Sequence, residues 1–305
     1  MSIAPPFATN AHLDNQPSVS LLVSSCDKYS DLWPPFFALF WRHWPDCPFP
    51  VYLESNLKEF DHPRVTTLRL GEDTRWGAMT RRALQLITST DILLFLDDYL
   101  LVGPVDTTTV LAHVQMYRDL NGNYLRLRPN PPPNLPVPGL PSIGEIGPGE
   151  KYRVSLEAAL WKKSALQALV CDDYSAWDME REGTRRAARL GGFYSAKHEV
   201  IPRHNGVEKG EWMRYNVPIL REAGLTLDAS RPVMSRRDHA FMVLRDRVRL
   251  PFRERVRFWR IVHTTGRGLR RLLRSASAEE PGGECPDGVP ELAEPPLKGE
   301  SSTSP

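Results

Sequence analysis

Apolar positions along this chain come in short bursts of two kinds, and the alternation between them predicts the architecture. Residues 91–102 (DILLFLDDYLLV) hold five consecutive apolar residues, Ile92 to Leu96, followed at once by Asp97 and Asp98. An unalternated apolar run of this length suits a strand buried on both faces, as at the centre of a parallel sheet. Further strands are predicted at 18–25 (SVSLLVSS), 51–54, 65–70 and 123–127. Between them lie helical patterns. Residues 30–44 place Phe36, Phe37, Phe40 and Trp41 at helical spacing, with Pro34 and Pro35 in the first turn, where amide donors lack partners anyway. Residues 75–87 carry Met79, Ala83, Leu84 and Ile87 on one stripe. A helix over 106–120 has Asp106 as its N-cap and Gly122 just past its end. Strand and helix in strict succession predict an α/β fold with a mainly parallel sheet and right-handed crossovers.

The second half is less regular. Residues 129–149 are dense in proline and glycine and suit neither a helix nor a central strand, so they read as a binding loop or lid. A strand is predicted over 152–161 and a short helix near 164–170. Ser175 then serves as N-cap for a helix to about residue 190, with Trp177, Asp178 and Glu180 in its first turns. A last helical segment over 210–223 is interrupted by Pro218. Between 245 and 274 arginines alternate with Leu250, Phe252, Phe258 and Trp259, the mixture of an interfacial amphipathic helix. Residues 276–305 are acidic and rich in proline and serine, the composition of a disordered tail. The expected organisation is a flexible leader at 1–17, one domain over 18–230, an arginine-rich helical segment at 231–275 and the tail.

Composition narrows the class. A net charge of +2 over 305 residues conceals the contrast between the basic segment and the acidic tail. Cys26, Cys47, Cys171 and Cys285 have no metal-ligand spacing, which points to reduced thiols in the cytosol. The N-terminus lacks the features of a signal peptide, and no run approaches the ~18 apolar residues of a membrane span. The expected location is cytoplasmic, with peripheral contact to an anionic membrane surface through 245–274. No nucleic-acid-binding motif accompanies the arginines, and no nucleic-acid partner is expected.

Asp97 and Asp98 carry the main chemical signal. Side chains alternate along a strand, so both carboxylates serve one ligand only where the chain turns, and Gly103–Pro104 places a turn close by. At the carboxyl end of a central strand the pair sits where open α/β sheets bind ligands, and Mg²⁺ or Mn²⁺ suits two hard oxygen donors. The competing assignment is a turn cap, or carboxylates paired with arginines. At the exit of the first strand, Ser25, Asp27 and Tyr29 offer hydrogen-bonding and stacking groups to a base or ribose. Arg75, at the end of the third strand, can offset phosphate charge. Asp178 and Glu180 open a helix, where the dipole keeps a carboxylate ionised as a general base requires. Stabilisation of the helix start is the alternative for both. His198 and His204 are candidates for a third metal ligand.

These residues together resemble bacterial glycosyltransferase-like proteins of the GT-A fold, family 2-like. The resemblance rests on VSSCDKYSDLW (23–33) with WPDCPFPVYLESN (44–56), LLFLDDYLL (93–101), YRVSLEAALWKK (152–163) and YSAWDMEREG (174–183). It implies a single GT-A-like (Rossmann-like) domain, with a nucleotide-binding half at 18–128 and an acceptor half at 150–230. By the same resemblance Asp97 and Asp98 hold the divalent cation on a nucleotide-sugar donor, and Asp178 or Glu180 stands at the base position, with Asp178 expected to be the base and Glu180 the runner-up. The usual acidic motif is Asp-any-Asp; here Leu96-Asp97-Asp98-Tyr99 reads as any-Asp-Asp, with Asp98 the metal contact. The implied activity is inverting transfer of a sugar to a hydroxyl of a saccharide or lipid-linked saccharide, in surface polysaccharide or lipopolysaccharide synthesis. A nucleotidyltransferase and a non-catalytic nucleotide-binding or scaffold protein are the alternatives.

Overall fold

The computed structural model describes residues 18–72, 74–227 and 231–247. The leader, the tail and most of the arginine-rich segment (248–274) lie outside them. Among the described residues no helix is long and apolar enough to cross a membrane. Cys47 is a buried free thiol.

The strands are β1 (Val19–Ser24), β2 (Val51–Ser55), β3 (Thr66–Arg69), β4 (Asp91–Leu96), β5 (Tyr99–Leu101), β6 (Tyr124–Arg126) and β7 (Leu135–Pro136). They continue with β8 (Ile143–Glu145), β9 (Ala159–Lys162), β10 (Phe193–Ala196), β11 (Arg203–Asn205), β12 (Val207–Glu208) and β13 (Glu211–Trp212). The helices are α1 (Trp33–His43), α2 (Trp76–Leu86), α3 (Thr107–Asp119), α4 (Lys163–Leu169), α5 (Ala176–Ala187), α6 (Asn216–Glu222) and α7 (Arg236–Arg247). A nine-stranded sheet in the order β3-β2-β1-β4-β9-β6-β10-β8-β7 forms the centre. β1 to β4 are mutually parallel; β9 runs against both its neighbours, β4 and β6, and β8 against β10 and β7. Seven strands therefore share one direction, which is the mainly parallel α/β fold expected.

Burial on both faces explains the apolar run. Leu93 and Phe95 of β4 join Leu21 and Val23 of β1 and the aromatic side of α1 in one core. Ile92 and Leu94 face the other way, into a second core with Leu22, Met79, Ala83 and Leu84. Alternate residues of one strand thus feed separate layers, so no polar position can be spared.

Several elements differ from expectation. The chain turns at Asp97–Asp98, as the two carboxylates require, but apolar residues 99–101 do not prolong the central strand: β5 leaves to pair with β11. The helix expected from residue 30 starts as a 3-10 turn (Asp27–Leu32) before α1. Of the strand expected over 152–161 only β9 forms, because buried Arg153, Ser155 and Glu157 hold the preceding stretch in an irregular path. The helix expected over 210–223 divides into β13 and α6, since Trp212 pairs with Val207 and bridges to Val233. Residues 129–149 avoid the centre, yet they contribute β7 and β8 to one edge, with Pro136 in the outermost strand. Arg126, fully buried, ties this region down by donating to the carbonyls of Pro131 and Tyr152. β10 and β11 carry too few residues to stand out in the apolar pattern.

α2 begins without a side-chain cap. Instead the carbonyls of Tyr174 and Asp172 accept from the amides of Gly77 (2.8 Å) and Ala78 (3.0 Å), satisfying donors that the helix itself cannot. A Cβ at position 77 would lie 1.8 Å from the Cys171 carbonyl oxygen. Gly77→Ala is therefore expected to destabilise the protein by about 3 kcal/mol, lowering Tm by roughly 6–12 °C in calorimetry. A melting point within about 2 °C of the parent would contradict this tight packing.

Candidate active site

The strand order reverses between β1 and β4, since the chain builds β2 and β3 on one side of β1 and then returns to its other side. A crevice outside the carboxyl ends of such strands is the usual ligand site of open α/β sheets. Here it is a cavity of about 630 Å³. Its floor holds Ser24 and Ser25 from the end of β1, Glu54 from β2, and Asp97 and Asp98 from the turn after β4.

Asp97 is buried and accepts a 2.5 Å hydrogen bond from the Ser25 hydroxyl, which itself accepts from the Trp33 indole at 2.7 Å. Burial, and then the adjacent Asp98 charge, raise the Asp97 pKa well above the usual carboxylate range despite that bond. Asp98 Oδ1 is buried and has no hydrogen-bond partner among the described residues. Burial pushes the Asp98 pKa up to about 6, opposed by the charge of Arg203. Arg203 is buried too, ion-paired with Glu157 and lying 3.5 Å above the Tyr99 ring.

The hairpin of β12 and β13 overhangs this floor, with Glu208, Lys209 and Gly210 in the cavity wall. It is fixed where the Gly206 amide donates to the Asp98 carbonyl at 2.5 Å. A Cβ at 206 would stand 3.0 Å from that oxygen, so the approach suits glycine. A second tie comes from Arg231, which grips Asp31 through two hydrogen bonds (2.6 and 2.8 Å) and lies 5.2 Å from the Tyr29 ring. The cavity is also lined by Leu156 and by Ala176, Trp177 and Glu180 of α5.

Five of the expected residues, Ser25, Tyr29, Asp97, Asp98 and Glu180, meet at the cavity; Asp27, Arg75 and Asp178 are not among its lining. The two carboxylates of α5 divide their tasks. Asp178 closes a capping box with Ser175 and pairs with Arg181 at 2.7 Å. Glu180 faces the cavity and accepts from the Leu156 amide at 2.8 Å, and burial raises its pKa. Asp27 accepts from the Ser55 hydroxyl (2.7 Å) and the amides of Asn56, Leu57 and Lys58, tying the exits of β1 and β2 together. Burial works against its charge, but these bonds outweigh it and lower the Asp27 pKa. Arg75 is exposed at the start of α2. His198 is exposed, and His204 faces Asn216. Among the described residues no three His, Cys, Asp or Glu side chains are arranged around a metal position.

Sequence reasoning missed Glu54, Arg203, Glu208 and Arg231. Glu54 had a signal, a carboxylate closing a buried strand as Asp97 does. The arginines act on groups distant along the chain and leave no local pattern.

No family model matches the chain, and neither does any curated protein. Among solved structures it is similar to TarS of S. aureus, residues 1–349, at 12% identity over 59% of this chain and 60% of that one, with a TM-score of 0.38. The complex of that protein with UDP-GlcNAc matches at 12% identity over 64% and 60%, with a TM-score of 0.43. The bifunctional IspDF of Campylobacter jejuni matches at 13% identity over 60% and 50%, with a TM-score of 0.35. The chain thus spans about 60% of the length of the TarS chain.

Glu54 supplies a test of the electrostatics. It is fully buried, and burial raises its pKa to about 8 against the Ser24 hydrogen bond (2.7 Å). Between its ordinary value of 4.5 and about 8 the folded protein keeps a proton that the unfolded chain has released, so stability falls as pH rises through that window. Glu54→Gln removes this dependence. Its stability relative to the parent is expected to improve by on the order of 2–4 kcal/mol from pH 5 to pH 8, measured by urea denaturation. Parallel stability curves for the two proteins would contradict a protonated Glu54.

Proposed function

We propose that this protein is a glycosyltransferase that moves a sugar from a nucleotide-sugar to a hydroxyl acceptor. The observation that carries the reading is one cavity at the switch point lined both by an acidic turn and by Glu180 of α5. An electrophile carrying a diphosphate needs its leaving charge neutralised, and an incoming hydroxyl needs a base on the other side.

On the donor side, Ser25, Tyr29 and the β2 end flank the place for base and ribose. The buried, unpartnered Asp98 Oδ1 is a hard oxygen donor in an acidic setting, and it fits Mg²⁺ or Mn²⁺. These ions take one or two carboxylates and complete their shell with water and substrate phosphate. Asp98, with Asp97 beside it, would hold the ion. When bound, such an ion stabilises the negative charge developing on the diphosphate.

On the acceptor side Glu180 is the base, on a helix whose start Asp178 fixes through the capping box. Its partial burial raises proton affinity towards that of a hydroxyl-activating base, and the Leu156 amide fixes its orientation. Attack from that wall, opposite the leaving group, inverts the anomeric carbon. The acceptor class that fits a peripheral cytoplasmic enzyme is a saccharide, free or lipid-linked, of a surface polysaccharide. The arginines between 245 and 274 supply the contact to an anionic membrane in this reading.

The covering wall is the β12–β13 hairpin, since no residue of 129–149 lines the cavity. Titration calorimetry of the full chain with nucleoside diphosphates, with and without Mn²⁺, tests the donor half. Asp98→Asn is expected to weaken binding at least tenfold, about 1.4 kcal/mol, and to remove its dependence on the ion. Binding unchanged by both the ion and the substitution would reject the site. For the acceptor half, Glu180→Gln is expected to leave diphosphate affinity within about twofold while transfer slows by roughly 10²–10⁴. Transfer at the parent rate would exclude Glu180 as the base.

A further inference from the structure

The acceptor wall carries an unusual side chain. Trp177 is 76% exposed, although it sits in the first turn of a helix whose start is fixed by a capping box. Among the described residues its ring makes no hydrogen bond, ring stack or cation contact, while every other described tryptophan is buried or half-buried. It lines the mouth of the cavity, three residues before Glu180 and on the same face of α5. Leaving an indole hydrated at a cavity mouth forgoes burial of one of the largest apolar surfaces a side chain has.

The charge around it restricts what it meets. Among the described lining residues the carboxyl groups are Glu54, Asp97, Asp98, Glu180 and Glu208, and the cation is Lys209 on the facing hairpin. The wall formed by Leu156, Ala176, Trp177 and Glu180 has no cation. An acceptor carrying phosphate or carboxylate against this wall would face Glu180, while Arg181, one turn on from Trp177, is already paired with Asp178 and Glu182. A neutral ring with one apolar C–H face and a rim of hydroxyls suits both groups at once. Its C–H face lies on the electron-rich indole face, and a hydroxyl reaches the carboxylate.

The geometry points to Trp177 as the platform of an acceptor subsite that takes an uncharged pyranoside. This rests on the glycosyltransferase reading and narrows its acceptor from saccharides in general to neutral sugar rings. Trp177 sets affinity and orientation and moves no proton. The subsite stands on the α5 wall, apart from the acidic floor that would hold the donor.

Saturation-transfer NMR on the full chain tests it, with methyl β-glucopyranoside, methyl β-N-acetylglucosaminide and maltose as neutral probes, and glucose 6-phosphate and glucuronate as anionic ones. The expected result is signal from at least one neutral probe, at least fivefold stronger than from the anions. Trp177→Ala should lower that signal at least fivefold and Trp177→Phe should retain about half of it, with melting temperatures unchanged. No signal from any neutral probe, signal insensitive to Trp177→Ala, or preferential binding of the anions would overturn the proposal. Nucleoside diphosphate with Mn²⁺ is titrated in parallel and is expected to bind parent and Trp177→Ala alike. If it binds neither while neutral sugars still report on Trp177, the donor assignment fails and the sugar subsite stands. If it binds both while no sugar does, the subsite fails and the donor assignment stands.

Discussion

The constraint on which the rest of this structure depends is the burial of adjacent carboxylates at the turn that ends β4. Charge in that position is poorly solvated, and two such groups side by side disfavour each other's ionisation. The protein answers with contacts from three distant segments. Ser25, oriented by Trp33, meets Asp97 from the exit of β1. Arg203 brings its field to Asp98 from β11, and its own charge is held by Glu157 and the Tyr99 face. Arg231 acts on both aspartates from beyond the hairpin while anchored to Asp31. Compensation remains incomplete, as the raised pKa values and the unpartnered Asp98 Oδ1 show. Incomplete compensation in a cavity is what makes this turn a candidate functional site.

The same turn explains why the sheet changes character beside it. Up to β4 the strands are parallel, with helices covering both faces. β9 then enters antiparallel between β4 and β6. Running the other way, it starts at the end of the sheet where β4 finishes, which brings Leu156 and, through its amide, Glu180 to the cavity. A parallel strand in that place would begin at the far end of the sheet and leave the acidic floor without a second wall.

How much of this is legible in the chain depends on the reach of each interaction. The unalternated run of β4 and the stripes of α1 and α2 are local, and they predict the central layers correctly. The division between Asp178 and Glu180 was also within reach, since Ser175-Ala176-Trp177-Asp178 has the spacing of a capping box. That spacing assigns Asp178 to the helix start and leaves Glu180 for the cavity. Asp27 reads locally as a site residue, yet its partners lie about thirty positions onward, in the loop after β2. Arg231 and Asp31 are 200 residues apart, and no periodicity can announce such a pair. Glu54 was legible by the same logic as Asp97, a carboxylate at the end of a buried strand, but its strand lacks the doubled acid that draws attention to β4.

The hairpin over the acidic floor shows how a thin element can be held firmly. β12 and β13 contribute two residues each, too few for a stable pair in isolation. Stability comes from the base. Trp212 is buried, its amide donates to the Pro232 carbonyl, and its own carbonyl accepts from Met234. Met213, Met234 and Met242 pack beneath it as a small satellite core. The Gly206 amide and the Arg231–Asp31 pair then fix the hairpin against the β4 turn and the start of α1. At the tip, Glu208, Lys209 and Gly210 line the cavity, and the Gly210 carbonyl accepts from Arg231, so the same arginine that grips Asp31 also holds the hairpin. Attachment at both the base and the tip keeps a two-residue ladder in place beside the acidic turn.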